Sequence, residues 1–334
     1  MDQKMIDNIK NYSKKIVSLG TFVEAVRKVP GMYIGHIGNR GFLNMIREVF
    51  QNSIDQVMID DSPGTWVKLS YDERNHIVIN EDNGLGIPFE DIVRIFTEPH
   101  TGSNFIKEDG QFVSGLHGIG SKVTNALCSS FKVESYRLGE GCCVEFVDGL
   151  PTEKSPYMIS NKNNKQGTLI IFKPSYEVMG EITLSGNTIL NLIRTITSLT
   201  KIGTVVNFKC IKLDGSVYEE NIINEDGILY NIICKTKKPL IVPIVINDTI
   251  PDKKAEIAFT YDSDDLSEED VVAFSNFCPT SSGTHIKGFI DGITKFFKDY
   301  MNKIYLNKNS KLNITNNDVK TGLKAVVSVS HMNP

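Results

Sequence analysis

The stretch IVINEDNGLGIP, residues 77–88, decides how this chain folds. Ile77, Val78 and Ile79 are strong strand formers, and the run ends in D-x-G-x-G. Asp82 therefore stands at a strand end, where its carboxylate can accept a hydrogen bond from an exocyclic amine. Gly84 and Gly86 let the backbone turn sharply and approach a flat ring closely. Taken alone, D-x-G-x-G is a common turn, so its meaning depends on what surrounds it.

Working outward, TWVKLSYD (65–72) reads as a partner strand, joined through a turn around Glu73–Asn75. Before it, Leu43, Ile46, Val49, Phe50, Ile54 and Val57 recur at three- and four-residue steps and predict a helix over 42–59. The SPG at 62–64 ends it. Glu48, Asn52 and Asp55 share one face of that helix, beside its apolar stripe. Polar groups so placed are either a solvated edge or the wall of a site.

Downstream, VSGLHGIGSKVTNAL (113–127) sets Gly115, Gly118 and Gly120 before a helix expected from about Ser121 to Ser129. Backbone N–H groups of such a loop, with the positive helix end, make an anion cradle. The loop imitates a Walker A spacing, but Ser121-Lys122 reverses the required order and no strand leads directly into it. That excludes the P-loop and dinucleotide readings. TGSNF (101–105) adds a glycine turn, and QGTLIIF (166–172) offers Thr168 as a hydroxyl partner for Asp82.

The rest of the chain is less pointed. Strands are expected at 131–138, 142–148, 167–173 and 204–213, and a helix at 186–202. VPGMYIG (29–35) reads as a turn, and residues 1–20 as a polar arm. INEDG (223–227) is a plausible joint; strands at 240–246 and 254–262 and an amphipathic helix at 286–305 follow it. With 334 residues, 40% of them hydrophobic, two domains are expected. A net charge of -4 leaves no global footprint for nucleic acid or an acidic membrane. Six cysteines without C-x-x-C or zinc spacing read as reduced thiols. No apolar run reaches the ~18 residues of a membrane span, and MDQKMIDNIKNYSKK lacks the apolar stretch of a signal peptide. A cytoplasmic protein with no metal site of its own is expected. The Lys235, Lys237, Lys238 cluster reads as a solvated face, and His285 as part of a helix start.

The four glycine and carboxylate motifs, in this order, resemble the GHKL (Bergerat-fold) ATPases. AVRKVPGMYIG (25–35), SGTHIKGF (282–289) and DVKTGLKAVVSV (318–329) narrow the resemblance to the ATPase region of the gyrase B and topoisomerase IV ParE type. The resemblance implies an α+β fold. A Bergerat sandwich with helices on one face of a mixed sheet would occupy 1–222, and a smaller α/β transducer of ribosomal-protein-S5-like type 223–334. It implies ATP and Mg²⁺ as cofactors. Glu48 would be the general base and Asn52 the Mg²⁺ ligand. Asp82 would bind the adenine amine, with Thr168 assisting, and Asp55 would support the pocket packing. Ile87 and Pro88 would form the wall beneath the ring, after the turn of Gly84 and Gly86. Gly102 and the run Gly115, Leu116, His117, Gly118, Ile119, Gly120 would close over the phosphates. Arg137 would stand at the pocket mouth, and Tyr12 in an arm reaching the partner's nucleotide.

The resemblance further implies a nucleotide-dependent homodimer, a DNA-cleaving partner of the gyrase A or topoisomerase IV ParC type, and DNA as substrate, with no membrane. ATP-driven dimerisation would gate strand passage. Departures bear on turnover. Asn44 replaces a family His four residues before the base, Leu85 replaces a rim Arg, and Asn104 replaces a lid Lys. The chain stops at Pro334, before the Gln-Thr-Lys loop that supplies a lysine to the γ-phosphate. A piece of a longer protein that binds nucleotide and hydrolyses it weakly is therefore expected. A nucleotide-gated clamp, or a repair ATPase of the MutL type, are the alternative readings.

Overall fold

The computed structural model describes residues 20–59, 62–102, 118–250, 253–264, 270–304 and 314–331. Tyr12, Asn104, Gly115, Leu116 and His117 lie outside the described residues.

The described residues open with two short helices. In α1 (Phe22–Lys28), Thr21 and Glu24 form a capping box, which satisfies two otherwise orphaned N–H groups. The stretch read as a turn is instead α2 (Pro30–Ile34), with Pro30 at its first position. Proline there has no N–H to lose and a φ already suited to a helix. Next comes α3 (Gly38–Met58), 21 residues long, whose Phe42, Met45, Ile46, Val49, Phe50 and Ile54 are buried. Gly41 lets it start close to the preceding loop: a Cβ there would lie 2.1 Å from the His36 carbonyl oxygen.

The strands β1 (Trp66–Asp72) and β2 (Ile77–Asp82) follow as expected. The glycine-rich stretch after them still contains α4 (Ile92–Thr97), and α5 (Gly120–Ala126) ends sooner than its apolar run suggests. Cys128 already belongs to β3 (Cys128–Arg137). Then come β4 (Glu140–Val147), β5 (Leu150–Pro151), β6 (Tyr157–Ile159) and β7 (Gly167–Pro174). The short α6 (Tyr176–Met179), α7 (Gly186–Thr197), β8 (Val205–Ile211) and β9 (Val217–Ile223) complete the first unit.

These strands form one nine-stranded sheet, ordered β5-β4-β3-β7-β2-β1-β8-β9 with β6 on β4. Among the described residues its pairs are antiparallel except β1 with β8. Strand alternation puts Val67, Leu69 and Tyr71 on the face that meets α3 and α7, in one apolar core. Phe96, Phe131, Phe146, Phe172 and Phe42 touch ring to ring inside it. Strand β9, not foreseen, is held to α7 by a two-oxygen Arg194–Glu220 pair at 2.7 Å.

After α8 (Leu229–Ile233), a second sheet runs β10-β11-β14-β12-β13. Its strands are β10 (Ile244–Ile250), β11 (Lys253–Tyr261), β12 (Asp270–Ser275), β13 (Cys278–Thr280) and β14 (Leu323–His331). Helix α9 (Thr284–Ile304) buries Phe289, Ile290 and Ile293 against it. Thr315 and Asp318 cap α10 (Asn316–Lys320). The basic cluster is the solvated face expected of it: Lys235, Lys237 and Lys238 are exposed, with Lys235 paired to Asp270 at 3.0 Å and Lys238 to Asp264 at 3.6 Å on that surface.

Asn125 holds three elements of the first unit together. Its Nδ2 donates to the Phe96 carbonyl at 3.0 Å and to the Gly149 carbonyl at 3.1 Å, both buried. Asn125→Ala would leave two buried acceptors unmade, each worth about 1–3 kcal/mol. Urea unfolding should show a loss of at least about 2 kcal/mol relative to the wild-type chain; a loss under about 0.5 kcal/mol would mean that water replaces the amide.

Candidate functional site

The end of β2 and the middle of α3 meet at a buried carboxylate. Asp82, 4% exposed, accepts from the Ser53 hydroxyl at 2.6 Å on one oxygen. Its other oxygen accepts from the Gly84 N–H at 3.0 Å and the Thr168 N–H at 3.3 Å. Ser53 in turn accepts from Asn80 Nδ2 at 2.7 Å. Burial pushes the Asp82 pKa up to about 6, and the three donors offset only part of that.

The glycines are required where they stand. A Cβ on Gly84 would lie 2.5 Å from the Gln56 side chain. Gly86 has φ +70°, and a Cβ there would lie 2.7 Å from the Tyr136 carbonyl oxygen. Gly167, at φ +113°, lets β7 approach so closely that a Cβ there would lie 2.0 Å from the Asp82 carbonyl oxygen. Ser135 Oγ bonds both the N–H and the carbonyl of Ile87 at 2.8 Å, which locks the turn before Pro88. Arg137 lies beside this turn, its Cβ 3.4 Å from where a Gly86 Cβ would be. Leu85 is exposed.

Glu48 lies nearer the start of α3, against the first turn of α5. A Cβ on Gly120 would stand 2.0 Å from a Glu48 carboxylate oxygen, so any larger residue there would displace that carboxylate. Arg47 pairs with Glu48 at 3.4 Å. Asn44 turns elsewhere: its Nδ2 donates to the Ile34 carbonyl at 2.9 Å and closes the end of α2. Asn52 is half-buried between Glu48 and the Asp82 network, and Asp55 is buried one turn on. Gly102 is exposed, and Gly118 has φ +57° just before Ile119 and Gly120. The structure therefore brings Asp82, Gly84, Gly86, Ile87, Thr168 and Arg137 together at the β2 end and sets Glu48 against Gly120 on the same helix α3, with Asn52 and Asp55 on that helix and Pro88 next in the chain after Ile87.

Three residues of this region were not foreseen. Ser53 and Asn80 belong to the Asp82 network, and Lys122 is buried inside α5, donating to the Thr101 carbonyl at 2.7 Å. Burial lowers the Lys122 pKa to about 8. A polar residue at each of these inward positions was the available signal.

A cavity of about 420 Å³ opens at the same end of the sheet. Its walls include Trp66, Lys68, Glu81, Tyr136, Asp82 and Thr168. By strand alternation the first four side chains face away from the helices, so this cavity backs onto the Asp82 strands from outside. It is distinct from the Asp82–Ser53 face.

Comparison with known proteins places these features in context. Residues 39–176 match the family described as histidine kinase-, DNA gyrase B-, and HSP90-like ATPase, and residues 220–334 match the family DNA gyrase B. The DNA gyrase B protein of Mycoplasma genitalium is 31% identical over 97% of this chain and 52% of its own length. That of Thermotoga maritima is 29% identical over 98% of this chain and 52% of its own. The chain thus spans about half the length of these curated relatives. Among solved structures, the 43K ATPase domain of Thermus thermophilus gyrase B, in complex with an aminocoumarin, superposes with TM-score 0.70 at 26% identity, over 92% of this chain and 80% of that one. The topoisomerase IV ATP-binding domain of Francisella tularensis, in complex with a small-molecule inhibitor, gives TM-score 0.70 at 26% identity, over 94% and 83%.

The raised Asp82 pKa has a sign that can be measured. Its folded value, about 6, exceeds the usual 3.8, so the folded chain holds the extra proton more tightly. That stabilisation is full below about pH 4 and lost as pH rises through 6. The unfolding free energy of wild type minus that of Asp82→Asn should fall between those pH values and stay level above them. A difference that does not vary with pH would mean that Asp82 does not titrate there.

Proposed function

Because the chain belongs to the GHKL ATPases of the gyrase B type, we propose that it binds ATP between α3 and the β2 end and hydrolyses it. The observation that carries this reading is the Ser53–Asp82 hydrogen bond at 2.6 Å. It ties the helix bearing Glu48 and Asn52 to the strand end bearing the D-x-G-x-G turn.

Asp82 accepts from the adenine amine, with Thr168 beside it; Ile87 and Pro88 line the ring, and Arg137 stands at the mouth. Gly102 and the Gly118–Gly120 segment approach the phosphates. Glu48 takes the proton of the attacking water. The side-chain oxygen of Asn52, one turn along the helix from Glu48, is a hard donor that would suit Mg²⁺. When bound, that ion neutralises phosphate charge.

For the longer protein we propose ATP-driven homodimerisation that gates DNA strand passage, with a DNA-cleaving partner of the gyrase A type, in the cytoplasm. No helix among the described residues is long and apolar enough to cross a membrane. One observation favours a second reading, a nucleotide-gated clamp with slow turnover. Asn44 is committed to the Ile34 carbonyl at 2.9 Å, so Glu48 gets no proton-holding neighbour from that position.

Two experiments test the site. Glu48→Gln should keep affinity for a non-hydrolysable ATP analogue within about threefold and reduce phosphate release by at least about a hundredfold. Turnover retained near the wild-type rate would remove Glu48 from its role. Asp82→Asn turns part of the acceptor into a donor and should weaken ATP far more than GTP, measured by calorimetry. Equal losses for both would remove the adenine assignment.

A further inference from the structure

The second sheet reaches back onto the helix that carries Glu48 and Asn52. Gln51, 3% exposed, donates from Nε2 to the Phe277 carbonyl at 3.0 Å, and its Nε2 is 4.0 Å from Cys278 Sγ. Phe277 sits in the tight connection between β12 and β13. There two consecutive non-glycine residues take left-handed backbone, Asn276 at φ 46° and Phe277 at φ 65°. A phenylalanine in that region is strained and persists only where its surroundings over-determine it.

The surroundings are specific. Asn276 donates to the His331 carbonyl at 2.9 Å and accepts from the His331 N–H at 2.8 Å, while its own N–H donates to the Val329 carbonyl at 2.9 Å. Phe277 packs with Phe274, Val326 and Leu199, and Met58 at the end of α3 joins them. A continuous chain of contacts thus runs from α3, through one strained turn, to the end of β14. Cys278 also feels the charges of Glu48, Arg47 and Asp55. The turn therefore lies against the same helix face that bears the base.

We infer that Gln51 is a positioning residue that couples nucleotide occupancy on α3 to the β12–β13 turn and through it to β14. The inference rests on the nucleotide site proposed above. A ligand held by Glu48 and Asn52 acts on α3 one residue from Gln51, and the Phe277 carbonyl has no freedom to follow unless the turn moves. The Gln51–Phe277 hydrogen bond and the packing of Met58 on the same cluster tie α3 to the turn, and close-packed neighbours transmit a displacement of one to the other.

Cys278 reports on the turn directly, because it is half-buried there. Cys234 is exposed and would obscure it, so the full chain carrying Cys234→Ala is used. Alkylation of Cys278 by iodoacetamide is timed with and without a non-hydrolysable ATP analogue and Mg²⁺, whose binding is followed in parallel by calorimetry. The rate should change about fivefold on nucleotide binding, a factor typical of coupled sites. In the Gln51→Leu version the analogue should bind within about threefold of the parent, with the two alkylation rates now equal. A merely structural Gln51 would raise both rates together and keep their ratio, and that result overturns the inference. So does a parent chain that binds the analogue with no change at Cys278. A parent chain that binds no analogue sinks the nucleotide site itself, and the inference with it. If Gln51→Leu unfolds, Gln51→Met serves instead, since its unbranched thioether has the same reach and no hydrogen to donate to the Phe277 carbonyl.

Discussion

A hydrogen bond between a serine on a helix and a carboxylate at the end of a strand organises this molecule. Asp82 is nearly inaccessible, and a charge so placed is tolerated only with donors around it. Ser53, Gly84 N–H and Thr168 N–H supply them from α3, from the turn and from β7. Each donor constrains a different element. The helix cannot rotate without withdrawing Ser53. The turn cannot relax without withdrawing Gly84, and β7 must come close enough that position 167 is glycine. One acceptor thereby sets the register of helix against sheet, and Glu48 and Asn52 inherit their placement from it.

Much of this was legible in the chain. The apolar period of α3 is long and clean, β1 alternates, and β2 and β7 are short β-branched apolar runs bounded by turn residues, so their existence and type followed from pattern alone. The D-x-G-x-G and the glycine loop stood out because steric need at a close approach leaves few residue choices. Other elements left no such mark. Pro30 reads as a breaker, yet at the first position of a helix it is harmless, which hid α2. Strand β9 is an edge strand half exposed to water and stabilised by Arg194, a partner distant in the chain, so its own sequence carries little pattern. Helix α5 stops at Ala126 because the next residues are needed by β3, which is a tertiary decision.

The same division applies to the site. Glu48, Asn52 and Asp82 were visible because spacing alone puts them on a face or at a strand end. Ser53, Asn80, Gln51 and Lys122 were not, since each looks like an ordinary polar residue until its partner, up to 226 positions away for Gln51, is known. Asn44 shows the reverse. Its departure from the family pattern was visible, but the use it is put to, closing α2 at the Ile34 carbonyl, depends on how the chain returns past it.

The parallel pairing of β1 with β8 sets an order of events during synthesis. Residues 66–72 lie against residues 205–211, with the antiparallel meander and α7 made in between. Until that later strand leaves the ribosome, β1 has one unpaired edge in what becomes the middle of the sheet, and α7 has no finished surface to cover. A nascent chain of some two hundred residues therefore displays apolar sheet that only its last segment can conceal. Long-range strand pairing of this kind is slow and prone to association. The edge of β1 thus stays open until residues 205–211 are made, and no earlier segment of the chain can close it.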